Sequence, residues 1–340
     1  MPSRSCSTIM KGFDTVSITC RILRITILTL TTTLAFMPLL PATLAGKLVL
    51  VSLCSLPIIF VNILLSIFGP KRWKMAHIVT LLFCIPIFRG YIPILPRPAE
   101  GNSKTIKMVS WNVDNFLVNR DTMQQAARHI NNLSPDIICF QERPHETLVS
   151  WNDIRKAFPC QSYAVRNSRE DEVLNLAILS SYPIIGSGER QFEGTYNRYL
   201  WADIRVSDDT IRVFNAHLQT TGLTSSFGWS DVSTMISNAE ERNRQADLLY
   251  TDVKDSPHPV VLCGDFNDTP SGYPARRLRN ELSDLSSRWP FCGSYKALGG
   301  LLKIDYMMCD KHMRPIRYQL FDTPWSDHCM QFGEMELNKK

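Results

Sequence analysis

One acidic residue, Asp14, stands among the first 99 positions of this 340-residue chain, against ten Lys/Arg. Positions 100 to 340 carry 27 Lys/Arg against 31 Asp/Glu, so the formal charge of +5 comes from the front of the chain alone. The back therefore lacks the basic surplus by which proteins grip nucleic-acid phosphates nonspecifically. Several chemical signatures are also missing. The ten cysteines form no Cys-x-x-Cys pair, which removes the common zinc and dithiol motifs. There is no Gly-x-Ser-x-Gly elbow, no P-loop lysine motif and no His-Glu-x-x-His helix, which argues against a serine hydrolase, a P-loop NTPase and a zinc protease. Internal repeats and low-complexity tracts are absent, and 44% hydrophobic with 20% charged residues is a folded composition rather than a disordered one.

What the front does have is apolar length. Ile25 to Ala45, Leu48 to Phe68 and Met75 to about Leu95 are each longer than the 10 to 14 residues typical of a buried core helix, and they predict three transmembrane helices over 25–95. The middle run has no charge and is interrupted only by Pro57 and Asn62. Arg4, Lys11, Arg21 and Arg24 precede the first run, Lys47 alone follows it, and Lys71, Arg72 and Lys74 follow the second. Positive loops stay inside, so residues 1–24 and the second loop face the cytoplasm. Three spans then deliver the back of the chain outside, on the periplasmic side in a bacterium, through a proline-stiffened linker at 96–103; two spans would reverse this. Cys139 and Cys263 lie in apolar runs and read as buried thiols, while a Cys160–Cys292 pairing is left open by spacing.

Residues 104–340 form one further domain in which β-branched runs alternate with amphipathic stretches, the pattern of an α/β domain with covered sheets. Strands are expected at 106–113, 136–141, 162–165, 174–180, 199–206, 210–218, 260–263, 302–309, 316–321 and 329–332. Helices are expected at 121–133 and 238–250, and a loop carrying Phe227 and Trp229 at 222–232. Acids, amides and histidines fall at the ends of these strands, where α/β proteins build ligand sites. They are Asn112 and Asp114, Glu142, Asn215 and His217, Asp265 and Asn267, Asp305, and Asp327 with His328.

In this order the segments Ser110-Trp-Asn-Val-Asp114, Phe140-Gln-Glu142, Phe214-Asn-Ala-His217, Gly264-Asp-Phe-Asn267, Lys303-Ile-Asp-Tyr306 and Ser326-Asp-His328 resemble the endonuclease/exonuclease/phosphatase superfamily, with its deoxyribonuclease-I-like fold, in a membrane-anchored bacterial form. The resemblance spans Lys104 to Phe332. It implies a four-layer α/β sandwich, two packed mixed sheets flanked by helices, and a divalent-metal phosphodiester or phosphomonoester hydrolase.

Glu142 is a hard oxygen ligand suited to Mg²⁺ or Mn²⁺, with Asn112 and Asp114 supporting the ion directly or through water and Asp327 adding a carboxylate by analogy. The resemblance makes Asp265 the residue that handles the attacking water and gives Asn267 the positioning of water or a phosphate oxygen. His328, oriented by Asp305, and His217, beside Asn215, would donate to the phosphate. Arg198 reads as a surface ion pair more readily than as a phosphate contact. Two departures narrow the expectation. Phe214-Asn-Ala-His217 lacks the tyrosine-bearing Pro-Asn motif of apurinic endonucleases, and Asp268-Thr-Pro270 replaces the motif by which 5-phosphatases read inositol phosphates. A phospholipid, a nucleotide-like solute or nucleic acid outside the cytoplasm remains as substrate, the bilayer is the expected partner, and no protein partner is indicated. The alternatives are an extracytoplasmic metal-dependent endonuclease and a non-catalytic phosphate-binding module.

Overall fold

Apolar, β-branched runs organise the described residues of the back of the chain into twelve strands. The computed structural model describes residues 4–92, 104–165, 174–222, 229–287 and 293–337, which leaves Cys292, Phe227 and the 96–103 linker outside the described residues. In chain order the strands are β1 (Thr105–Asn112), β2 (Ile137–Arg143), β3 (Ser162–Val165), β4 (Asn175–Ser180), β5 (Ile184–Gln191), β6 (Arg198–Val206), β7 (Asp209–His217), β8 (Val260–Asp265), β9 (Ser283–Asp284), β10 (Asp305–Cys309), β11 (Met313–Phe321) and β12 (Met330–Leu337). They form two six-stranded sheets, ordered β11-β12-β1-β2-β4-β3 and β5-β6-β7-β8-β10-β9.

Each sheet is mixed because each has one parallel pair: β1 with β2 and β7 with β8. A parallel pair needs a crossover. Helix α7 (Arg120–Asn132) supplies the first, and α9 (Trp229–Lys254) the second. The strands read as apolar on both faces because both faces are covered. Ile106, Met108, Cys139, Val213, Cys263 and Met307 fill the space between the sheets. On one outer face Trp111 and Phe140 pack against Ala126 and Ile130 of α7. On the other, Phe214 and Leu262 meet Ala246 and Leu249 of α9. Each such fully buried side chain contributes about 1.5–3 kcal/mol. The result is the expected four-layer sandwich.

Two elements had weak sequence signals. Strand β5 carries Gly186 and Gly188 on an exposed sheet edge, where a Cβ at Gly188 would stand 2.7 Å from the Trp201 ring. Helix α8 (Trp151–Ala157) is short and is started by its cap, Ser150 Oγ accepting from the Asp153 amide at 3.1 Å.

At the front, α1 (Arg4–Phe36) begins earlier than the first apolar run suggested, and among the described residues Ile18–Leu39, the back of α1 with the Met37–Leu39 turn after it, is the one helical stretch long and apolar enough to cross a membrane. The chain then turns at Pro38 and Pro41 into α2 (Ala42–Lys47). The second apolar run is divided at Cys54 into α3 (Val49–Leu53) and α4 (Ser55–Phe68), and α5 (Lys71–Phe83) and α6 (Ile85–Phe88) follow. Leu34, Ile59 and Cys84 pack α1, α4 and α5 into a bundle. Inside it the Asn62 amide donates to Thr31 and Thr80.

The bundle is seated on the sandwich. Val49 packs on Met235 and Ala239 of α9, and Asn243 Nδ2 donates to the Ala42 carbonyl at 2.8 Å. Ser271, just before α10 (Tyr273–Leu278), bonds to Ser55 at 2.7 Å and to Tyr91 at 3.2 Å. Because its N-terminal part meets the bundle while the rest covers a sheet, α9 has little polar face there, and its first turns were expected to be loop.

Candidate active site

Sheet register places the polar residues before any ligand is invoked. His217 pairs with Asp265 across the parallel β7–β8 ladder, and Asp305 pairs with Asp265 across the antiparallel β10–β8 ladder. Residues directly opposite share a face at about 5 Å. Asp265 therefore sits between a histidine and a second carboxylate. Getting its backbone there requires Gly264, whose φ of +139° brings it so close to β7 that a Cβ would stand 1.9 Å from the Ala216 carbonyl oxygen. Asp114, Glu142 and Asn267 also adopt left-handed φ values, 41°, 50° and 53°. Such conformations cost of order 1–3 kcal/mol each and gather at functional sites.

These strand ends meet in a cavity of about 490 Å³, lined by Asp114, Glu142, His217, Asp265, Asn267, Asp327 and His328. One amide ties its centre together. Asn112 Nδ2 donates to Glu142 Oε1 at 2.9 Å and to Asp265 Oδ2 at 3.1 Å, while Asn112 Oδ1 accepts from the Asp114 amide at 3.1 Å. His217 Nε2 bonds to the same Glu142 Oε1 at 3.0 Å, and Asn197 Nδ2 contacts His217 Nδ1 at 3.0 Å. His328 Nδ1 bonds to Asp305 Oδ2 at 2.9 Å. The free edge of that ring, Nε2, lies 3.7 Å from Asp265 Oδ2 and 3.8 Å from Asp327 Oδ1.

The charges follow from these neighbours. Burial opposes a charged His328, but Asp305, Asp265 and Asp327 outweigh it and lift the ring to about 10, so it is an imidazolium at neutral pH. His217 is raised as well, burial again being outweighed by Glu142 and Asp265. Burial also works to raise Glu142, yet its bonds to His217 and Asn112 hold the carboxyl down at about 2. Asp265 goes the other way, raised to about 6 by burial and by Asp305 against the pull of the two histidines. The site thus holds one carboxylate that stays ionised and one whose basicity is increased.

The donor set fits a hard divalent cation. Glu142 Oε1 takes both hydrogen bonds, and Oε2 accepts none among the described residues. Asp114 is raised by burial, then by Asp327 and Glu142, so three carboxylates face one cavity and repel each other there. A cation bound by all three would relieve that repulsion, and oxygen ligands suit Mg²⁺ or Mn²⁺. Two tighter clusters, Glu142 with His217 and Asp265, and Asp265 with Asp305 and His328, have ligand atoms within 4.8 Å. Each already spends a ring nitrogen on a carboxylate, which favours reading them as hydrogen-bond networks.

Two candidates stand apart. Asn215 is fully buried, donates to the Phe140 and Ala177 carbonyls at 2.9 and 3.0 Å, and accepts from Gln141 Nε2 at 2.6 Å. Its amide clasps the two sheets and does not line the cavity. Arg198 pairs with Glu189 at 3.4 Å, as an ion pair, though a buried one for the arginine. Sequence reasoning passed over Asn197 and Tyr295, which also line the cavity. The Tyr295 ring lies 4.9 Å from the His328 ring, tilted at 45° to it. Both sit in loops with no strand-end pattern to single them out.

A profile of the Endonuclease/Exonuclease/phosphatase family matches residues 109–328. Among solved structures, the humanized D. rerio TDP2 superposes with a TM-score of 0.56 at 16% identity, over 68% of this chain and 98% of that one. An endonuclease/exonuclease/phosphatase family protein from Bacteroides thetaiotaomicron gives 0.53 at 14%, over 70% and 96%. D. rerio TDP2 complexed with single strand DNA product gives 0.51 at 18%, over 68% and 99%. At these identities the likeness carries the fold. No curated protein matches the sequence significantly.

Proposed function

The chain belongs to the endonuclease/exonuclease/phosphatase family, and from that premise we propose that it is a membrane-anchored, divalent-metal-dependent phosphoesterase acting outside the cytoplasm. The observation that carries the chemistry is the convergence of Glu142, Asp114 and Asp327 with Asp265 and two histidines in one cavity. Glu142, with Asp114 and Asp327, would hold Mg²⁺ or Mn²⁺, which when bound supplies polarisation of the phosphoryl oxygen and neutralises charge on the leaving oxygen. Asn112 fixes Glu142 and Asp265 relative to one another. Asp265, ionised at neutral pH but more basic than an exposed carboxylate, takes the proton of the attacking water, which Asn267 helps to orient. The His328 imidazolium, held by Asp305, donates from Nε2 to the non-bridging phosphate oxygens, whereas His217, expected as a second donor, spends Nε2 on Glu142 and Nδ1 on Asn197 and so positions the Glu142 carboxylate.

Anchoring is supported by the distribution of charge on the bundle. A Cβ at Gly69 would meet Arg24 Nη1 at 2.5 Å, so the basic end of α1 lies beside the Lys71-Arg72-Trp73-Lys74 turn, at the opposite end of α4 from the Ser55 contact with the sandwich. Phe60, Ile67, Phe68, Met75 and Leu82 are exposed between those ends. With the basic end inside, the sandwich lies outside.

The test is hydrolysis by the full chain in nanodiscs of bis-p-nitrophenyl phosphate, p-nitrophenyl phosphate, single-stranded DNA and sphingomyelin, with Mg²⁺ and with EDTA. Turnover should require the metal and fall about 10³-fold in Asp265→Asn with folding intact. Wild-type rates in that variant would refute the assignment of Asp265, and preference for DNA would favour the nuclease reading.

A further inference from the structure

Away from the catalytic cavity, a second cleft of about 500 Å³ opens where the bundle meets α10. Its two walls differ in kind. Arg276, Arg277 and Arg279 line one, and Leu40, Pro86 and Ile92 from the bundle line the other.

Asp284 lines the arginine wall too, but counted together with Arg242 and Lys303 behind it the buried cations outnumber the carboxylates beside them. Arg277 is neutralised by Asp247 at 2.8 Å. Of the rest, Arg242 pairs with Asp268 at 3.3 Å, while Arg279 and Lys303 share Asp284 at 3.3 and 3.0 Å. Arg276 spends Nε on the Ser271 carbonyl at 2.9 Å, a neutral acceptor. Four cations are thus set against two carboxylates, Asp305 being committed to His328. Arg276 Nη2 and Arg279 Nη2 are both buried and donate to no atom of the described residues. An unsatisfied buried donor is costly, more so when charged. Gly90 makes room for the arrangement, since a Cβ there would stand 2.5 Å from Arg279 Nη2. A tetrahedral oxyanion in the cleft would offset this surplus charge at the guanidinium edges of Arg276, Arg277 and Arg279 that line it, a group suited to phosphate.

The second wall selects the source of that phosphate. Ile92 is 57% exposed, and next to this wall Leu39 and Ile85 are 78% and 56% exposed, so the cleft continues onto apolar surface. Free phosphate gains nothing from such a surface, whereas an acyl chain would cover it. We propose that this cleft binds the headgroup phosphate of an anionic phospholipid, its arginines taking the phosphate and the bundle wall its acyl chains. The inference rests on the membrane reading above. It places Arg276 and Arg279 at the lipid interface on the catalytic side of the bilayer.

The experiment is native mass spectrometry of the full chain released from nanodiscs of equal phosphatidylglycerol and phosphatidylcholine, with carbonate extraction of cell membranes run in parallel. The wild type should resist extraction and retain phosphatidylglycerol about tenfold over phosphatidylcholine, and Arg276→Gln/Arg279→Gln should lose that preference while still inserting. Should the double variant fail to fold, Ile92→Glu places a like-charged group at the exposed mouth without touching an arginine and should lose the preference too. Insertion with equal retention of both lipids overturns the lipid site and leaves the membrane reading standing. Extraction of the wild type by carbonate overturns both. Displacement of phosphatidylglycerol by millimolar inorganic phosphate, with phosphate itself retained, overturns the lipid source in favour of a free anion.

Discussion

Among single residues, Asp284 offers the cleanest reading of charge against stability. Burial acts to raise its carboxyl, but Lys303, Arg279 and Ser286 outweigh this and hold it below the ordinary carboxylate range. The folded chain therefore binds this proton more weakly than the unfolded chain does. The stability it contributes is complete above about pH 4 and is lost as pH falls further through the folded value. Asp284→Asn should flatten that acid limb of a thermal melting series. At neutral pH it should cost about 3 kcal/mol, because Lys303 is left buried without its partner; an unchanged melting temperature would refute the pairing. The strand-end motifs made most cavity-lining residues legible, since an acid or histidine closing an apolar run is conspicuous. Asn197 and Tyr295 were not, because their place depends on which loops the fold folds back over the sheets. Asn215 shows the converse: an amide two residues from His217 points between the sheets.

At the level of elements, the signal was readable as a continuous apolar run wherever a strand lies between a core and a covering helix. It faded at β5, which has glycines and an exposed edge, and at the start of α9, whose polar face is replaced by contacts with α2 and α3. Strand β8 carries the sharpest element-scale prediction. Gly264→Ala should destabilise the protein by at least about 2 kcal/mol, because the Ala216 carbonyl oxygen occupies the Cβ position and the ladder that aligns His217 with Asp265 must open. Denaturant midpoints measure this, and a wild-type midpoint would refute the need for that close approach. In the front, helix α4 alone rises about 21 Å, and with α3 about 30 Å, so the break at Cys54 divides a run whose summed length is that of a bilayer core.

Considered as a whole, the molecule has a polarity of charge that its topology should obey. A reporter fused after Lys340 that is active only outside the cytoplasm is the expected result in a bacterial host, and activity confined to the cytoplasm would reverse the assigned orientation. The sequence announced apolar length and basic loops but not the seating of the bundle on α9 and α10, because a patch such as Met235 with Ala239 has no signature until its partner, Val49, is known. That seating bears on truncation. A gene stripped of its first 92 codons would encode a sandwich with Met235 and Ala239 bare and Asn243 and Ser271 without their partners. The two parts therefore share one buried seam, and a substitution on either side of it acts on both.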